Sequence, residues 1–530
     1  MTSNTHASVK QHKAAQGGGK IVATAAVISL VVGFGYGMAG CAIAGDFGLG
    51  RTQSTATTVS GGGGANTMSY DYTGSYSGVL SADGKTVSAE NETTEATNSD
   101  QNTALAQNGG TLTLTGMTLN KSGDSSNADN TNFYGTNAVS LTVGEQSTTT
   151  LDDVKLNASS AGSNAIFATD SGTVLARKVT INTSADNSRG LDATYGGTIV
   201  AGELEATTEG DHCATVATDR GGGNISVAGA KLSTSGSGSP LLYSTGDVEV
   251  SDVTGTATGS QIAGMEGLNT ILINKSTLES TVSGKTASDP VANGVIIYQS
   301  TSGDAEATTG EAATFQAKDS TLKSAITSGS MFYFTNTEAN VVLSNTTLDF
   351  DSDAAALITA AGNDSNSWGQ AGSNGATVTF TGRNQELKGN VSADTISSVT
   401  LNLFDSSTWT GAAQIADNTS ASAGSASASE TPISVNVDGS STWVVTGDTT
   451  VSKLNVAQGG KVVDAQGKSV TIKNGGDTVV EGTSDITVTV AGAYGTTVET
   501  SGTGTTLATK LISREAYDSK FSTSTAWTMS

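Results

Sequence analysis

From Gly110 to Gly411 the chain rewrites one short phrase, and that repetition limits its fold more than any other feature. Gly110-Thr-Leu-Thr-Leu-Thr-Gly-Met-Thr-Leu-Asn-Lys-Ser returns as Gly172-Thr-Val-Leu-Ala-Arg-Lys-Val-Thr-Ile-Asn-Thr-Ser and as Gly223-Asn-Ile-Ser-Val-Ala-Gly-Ala-Lys-Leu-Ser-Thr-Ser. Each copy holds two period-2 apolar pairs around a two-residue step. That pattern predicts two short strands joined by a tight bend, each with one face on a core. One such unit cannot bury its apolar face alone, so the repetition predicts a stacked solenoid.

The first apolar position of each copy runs through Leu112, Thr149, Val174, Ile199, Ile225, Val248, Ile271, Phe315, Val341, Val378, Leu401 and Val435. The commonest spacing is 23 to 26 residues, as from Ile225 to Val248 and from Ile199 to Ile225. The gap of 44 between Ile271 and Phe315 reads as two periods with a degraded middle copy, and other long gaps carry insertions such as Asp124–Gly135 and Asn363–Gly375. A third strand precedes the phrase in Asn164-Ala-Ile-Phe-Ala-Thr, Arg189-Gly-Leu-Asp-Ala-Thr and Cys213-Ala-Thr-Val-Ala-Thr. Equivalent strands follow one another in the same direction, so the sheets are parallel, and Pro240, Pro290 and Pro432 all fall outside the ladders. The fold expected is all-β, a right-handed parallel β-helix, with the hand taken from the rule for parallel crossovers.

The organisation expected is an export or anchor segment at 1–45, a Gly/Ser/Thr spacer at 46–66, and an N-terminal cap with the first coil at 67–109. Repeats then fill 110–411, further coils with a low-complexity insertion fill 412–490, and an irregular cap at 491–530 closes the open end. Lys10, His12, Lys13 and Lys20 precede an uncharged stretch from Ile21 to Gly45, long enough to span a bilayer. Within it, Met38-Ala-Gly-Cys41 is similar to a bacterial lipoprotein box, with Met38 where leucine is usual. Lipidation at Cys41, an uncleaved signal anchor and cleavage elsewhere all stay open, and each places the repeats outside the cytoplasm, tethered at the N-terminus in the first two cases.

Charged residues are 14% of the chain, and the net charge of −24 argues against nucleic acid as a partner, since phosphate contacts need a basic patch. Two cysteines, Cys41 and Cys213, give no disulfide framework. His212 is the sole histidine beyond the export segment, and adjacent residues on a strand point to opposite faces, so Asp211-His212-Cys213 does not read as a triad. Arg189 and Arg220 lie near Asp192, Asp211 and Asp219 in consecutive coils and read as surface ion pairs. No catalytic residue, metal ligand set or cofactor emerges; structural calcium has no loop of the required spacing.

One pattern points to a ligand. Ile166, Leu191, Thr215 and Leu242 share a column, followed by Phe167, Asp192, Val216 and Tyr243, and Ile297/Tyr298 and Phe332/Tyr333 fit the same pair of columns. With the first column inward, Phe167, Tyr243, Tyr298 and Tyr333 form an outward aromatic stripe suited to stacking on sugar rings.

Towards the C-terminus, Val399-Thr-Leu-Asn-Leu-Phe-Asp-Ser-Ser-Thr-Trp409 recurs as Ile433-Ser-Val-Asn-Val-Asp-Gly-Ser-Ser-Thr-Trp443. This Ser-Ser-Thr-Trp phrase is similar to one near the C-terminal end of many adhesin-like β-helices. The repeats from Gly110 to Gly447 resemble the right-handed parallel β-helix proteins of bacterial surfaces, an architecture shared with pectate-lyase-like enzymes. The resemblance implies an extracellular protein that meets polysaccharide or a host or neighbouring cell surface. The function expected is a non-catalytic adhesin or glycan-binding rod, with a polysaccharide lyase or hydrolase as the alternative.

Overall fold

The computed structural model describes residues 69–301, 305, 312–364, 368–421 and 431–530. The uncharged stretch, Cys41 and the spacer fall outside these residues, as does most of the low-complexity insertion. No helix among the described residues is long and apolar enough to cross a membrane.

Each coil donates one strand to a 13-stranded front sheet and, over most of the length, two to a 24-stranded back sheet; a third sheet of four strands takes over the second back position near the C-terminal end. Nearly all pairings are parallel, which gives the stacked-coil architecture of a β-helix. The register of the phrase is the one expected from Leu112 to Ile271 and departs from it at Val378. Leu112 pairs with Thr149, Thr149 with Val174, Val174 with Ile199, and so on to Ile271. Val341 pairs with Phe380, not Val378, because that strand starts two residues earlier than the phrase suggests.

The two-residue step is a bend whose second residue has left-handed backbone. Gly116, Asp153, Lys178, Glu203, Gly229, Asp252 and Lys275 all have φ between 46° and 78°. That conformation suits glycine and, less well, Asp and Asn, so the bend is fixed by the stack where Lys or Glu occupies it. Val174, Ala176, Val179 and Ile181 line the core, and full burial of an Ile side chain contributes about 1.5–3 kcal/mol.

Two expectations need correction. Ile271 pairs directly with Phe315, so the 44-residue gap is one coil with a long insertion and holds no degraded copy. The chain's end does not close the solenoid either. The strands Thr471–Asn474, Asp477–Val480 and Thr487–Gly495 close the C-terminal end. Residues beyond them turn back along the outside of the back sheet. Arg383 donates to the Thr505 carbonyl at 2.7 Å, Gln316 brackets Thr506 and Ala508, and the Ile512 N–H meets both carboxylate oxygens of Glu249 at 3.0 and 2.9 Å. Arg514 then donates to the carbonyls of Ser226 and Ala201, each at 2.9 Å. A short helix, Glu515–Phe521, seats Tyr517 and Phe521 on Leu175 and Val200. The tail therefore covers an outward column that includes Leu175, Val200, Glu249, Leu272 and Gln316, all buried.

This docking carries a proton linkage. Burial pushes the Glu249 carboxyl up to about 7, with the Ile512 N–H and Arg514 opposing and Asp247 adding to the rise. A carboxyl raised from 4.5 binds a proton in the docked state that the released state lacks, so docking is strongest at low pH and weakens as pH rises through 7. Trypsin cleavage after Lys510, corrected for enzyme activity, should therefore be several-fold faster at pH 8 than at pH 6, and Glu249→Gln should remove that dependence. Equal protection at both pH values in the unsubstituted protein would contradict this.

Candidate functional site

The aromatic stripe does not form a surface. Phe167, Tyr243, Tyr298 and Tyr333 are each at most 2% exposed. Phe167 and Tyr243 do point away from the coil interior, as strand alternation requires, since Ile166 and Leu242 beside them sit in the main core. What covers them is the insertions. A helix over Ala128–Tyr134, capped by the Asn127 side chain at its start and by Gly135 at its end, lies over the front sheet. A Cβ on Gly135 would come within 2.7 Å of the Phe167 ring, so glycine lets the helix end close onto it. Farther along, the Trp368 ring stacks on Tyr298 at 4.2 Å and 10°, and Tyr243, Tyr333 and Ile296 join the same cluster.

The stripe is also not one column. Tyr243 aligns with Gly264, Ile296 and Tyr333, whereas Tyr298 aligns with Glu266 and Thr335. The tyrosine hydroxyls are committed internally: Tyr243 donates to Glu266 Oε2 at 2.8 Å and Tyr298 to the same oxygen at 3.2 Å. The cover comes from insertions without their own periodicity, so the repeat pattern does not announce it.

Of the basic and acidic groups expected as surface pairs, Arg189, Asp192 and Asp219 are buried, Arg220 is half-buried and Asp211 is exposed. Arg189 has no exposed side-chain surface and bonds Asp192 at 3.1 Å and Asp219 at 2.9 Å. Burial raises the Asp192 carboxyl above its usual range, with Arg189 pulling against it. The Arg220 guanidinium lies 3.6 Å over the Phe133 ring. Cys213 belongs to a ladder of coil-to-coil bonds. Ser163 N–H donates to Ser188 Oγ, Ser188 N–H to Cys213 Sγ, and Cys213 N–H to Ser239 Oγ. The thiol fills a serine position one residue off the alignment with Arg189, and burial pushes it up to about 12, so it stays protonated. Burial also lowers His212. Burial thus closes Arg189, Asp192, Asp219 and Cys213 to solvent.

A cluster of aromatic rings that partly reaches solvent lies at the N-terminal end. Tyr70, Tyr72 and Tyr76 come from Tyr70-Asp-Tyr-Thr-Gly-Ser-Tyr76, and they meet Tyr134 at the end of the helix over Ala128–Tyr134 and Tyr195 at a coil turn. Tyr134 stacks on Tyr195 with planes 1° apart and centroids at 5.5 Å; Tyr72 stacks on Tyr134 at 5.0 Å, and Tyr70 meets both Tyr134 and Tyr195 edge-on. Tyr195 holds a left-handed backbone at φ 46°, which a bulky residue adopts only when its surroundings over-determine it.

Beside this cluster is a hollow of about 680 Å³ bounded by Tyr70, Tyr76, Gln107, Asn108, Gln146 and Asp170, among others. Asn108, Gln146 and Asp170 come from successive turns and share left-handed backbone, at φ 56°, 69° and 50°. The Tyr70 and Tyr76 hydroxyls are 2.8 Å apart. Burial pushes Tyr70 up to about 12, raises Tyr76 further, and lifts Asp170 above the usual carboxylate range. At neutral pH the phenols are donors and acceptors, set among amides and carboxyls. That set can hydrogen-bond a polyhydroxylated ligand, and it contains no nucleophile paired with a base. Three tyrosines in seven residues were the sequence signal for it.

Among the described residues no three side chains of metal-binding type converge. In comparisons with protein-family models, curated proteins and solved structures, nothing matches this chain.

The buried triad makes a testable claim about stability. Arg189→Ala leaves Asp192 and Asp219 without their guanidinium in a dry site and should cost about 3–5 kcal/mol. Denaturant unfolding that shows a loss below about 1 kcal/mol, the range of exposed pairs, would contradict that burial.

Proposed function

We propose that this chain is a non-catalytic cell-surface binder, an adhesin-like right-handed β-helix that holds a glycan in the tyrosine-flanked hollow at its N-terminal end. The observation that carries the reading is that hollow: it combines aromatic rings, amides and carboxyls on turns of consecutive coils. Such a surface suits saccharides, whose apolar ring faces and hydroxyls need both kinds of contact. The burial of Arg189, Asp192, Asp219 and Cys213 supports binding over lyase or hydrolase chemistry, because the groups that would serve as acid, base or nucleophile are out of a substrate's reach. The proposed setting is extracellular, with the N-terminus as the tether, through a lipid on Cys41 or through the uncharged stretch as a signal anchor. The partner is polysaccharide on a host or neighbouring cell.

A glycan array probed with the full chain in detergent tests this. Each ring contact contributes about 1 kcal/mol, so Tyr70→Ala/Tyr76→Ala should weaken binding to any array hit about tenfold or more. The buried triple variant Tyr243→Phe/Tyr298→Phe/Tyr333→Phe should leave binding unchanged if it folds. Undiminished binding by the Tyr70/Tyr76 variant would remove the hollow from the account, and release of unsaturated products from uronans would favour the enzyme alternative.

A further inference from the structure

The charge around the hollow beside Tyr70 and Tyr76 restricts which sugar it fits, an inference that rests on the glycan reading above. Two charged side chains line the hollow, Glu145 and Asp170, and both are acids. No Lys or Arg borders it. The flanking charges do not cancel them. Asp83 accompanies Lys85 on the preceding turn, Asp219 accompanies Arg220 farther along the stack, and Asp71 lies on the tyrosine segment. The Arg220 guanidinium is 3.6 Å over the Phe133 ring, and Asp83 accepts from the Asn108 amide at 2.6 Å.

Asp170 is the more telling of the two acids. It is half-buried, and its charge opposes loss of a proton from both Tyr70 and Tyr76. Burial raises its carboxyl above the usual range, and no cation pulls it back. Among the described residues neither Asp170 nor Glu145 has an ion-pair partner. Elsewhere in these coils covered carboxylates hold a guanidinium: Asp152 meets Arg177 at 2.6 Å, and Asp192 and Asp219 share Arg189.

A carboxylate that loses water without gaining a counter-charge favours a ligand that brings one. The tyrosine rings act in the same direction, because an aromatic face attracts a cation. A metal ion is the poorer fit, since among the described residues no three side chains of metal-binding type converge. An ammonium group needs fewer charged partners, and its three donors can be shared among carboxylates, amide oxygens and phenols.

We infer that the hollow selects a saccharide bearing a protonated amine, an amino sugar without its acetyl group, and rejects uronates. The sugar ring lies against the tyrosines while its ammonium donates to Asp170 and Glu145. A uronate would set its own carboxylate against those two acids.

The test is titration calorimetry of the full chain in detergent with three probes: a glucosamine trisaccharide with free amines, its fully N-acetylated form and a galacturonate trisaccharide. The free-amine form should bind at least about tenfold more tightly than the N-acetylated form, and the galacturonate most weakly. Asp170→Asn/Glu145→Gln should abolish that preference, and Tyr70→Ala/Tyr76→Ala should weaken binding of the free-amine form. The ranking in the unsubstituted chain needs no variant to fold. Equal or tighter binding of the N-acetylated form, lost in the tyrosine variant, would overturn the amine preference and leave the hollow a glycan site. An amine preference that survives Asp170→Asn/Glu145→Gln would overturn it too, because it would then come from the chain's net charge of −24. So would stoichiometric calcium binding that this variant removes, which makes the missing cation a metal. Binding of the probes that the tyrosine variant leaves undiminished would remove the hollow itself, and the glycan reading with it.

Discussion

Every feature of this molecule depends on parallel, in-register stacking of consecutive coils. Each coil's backbone donors and acceptors are satisfied by the coils before and after it, so a residue's position in its own coil fixes which side chains it meets. Columns, not single residues, are the units of stability. The inward columns are aliphatic, the bend column is left-handed, and a turn column of Ser163, Ser188, Cys213 and Ser239 hands a hydrogen bond from coil to coil. Trp409 and Trp443 show the same logic at its clearest. They pair directly in register, their rings stack at 4.8 Å and 13°, and each indole N–H reaches a glycine carbonyl.

Stacking also dictates where extra residues go. An insertion cannot stay within the plane of its coil without breaking two ladders, so it must leave through a turn and lie on an outer face. On the front sheet this buries Phe167, Tyr243, Tyr298 and Tyr333, along with the Arg189 triad. On the back sheet the C-terminal tail does the same over Leu175, Val200 and Glu249. The tyrosines of the N-terminal end stay only partly covered.

Much of the coil geometry was legible because it is written locally and repeatedly: the period-2 pairs, the glycine that opens each phrase, and the recurrence of Ser-Ser-Thr-Trp. Local repetition says which residues face the core; it says nothing about what lies on the far side of a strand. A signal was nonetheless present in the back sheet, where Val174-Leu175, Ile199-Val200, Ile271-Leu272 and Val341-Val342 are apolar doublets. A doublet breaks strict alternation and marks a strand buried on both faces. The covered front face gave a weaker sign, since Ile296-Ile297-Tyr298 and Met331-Phe332-Tyr333-Phe334 are continuous apolar runs. The tyrosine cluster was hidden for another reason: Tyr134 and Tyr195 are distant in sequence from Tyr70-Asp-Tyr and meet it only through the helix and the turn.

The register is most exposed to test where its assignment departed from simple periodicity, across the 44-residue span from Ile271 to Phe315. Thr277 and Thr321 are direct partners in adjacent coils of the back sheet. A Thr277→Cys/Thr321→Cys variant should form an intramolecular disulfide quantitatively under mild oxidation, since adjacent parallel strands hold Cα atoms at roughly 4.8 Å. An intervening coil would separate the two positions by about 9.6 Å, beyond disulfide reach. Persistence of both introduced thiols, counted over the native Cys41 and Cys213, in the folded, oxidised variant would contradict the direct stacking on which the whole architecture rests.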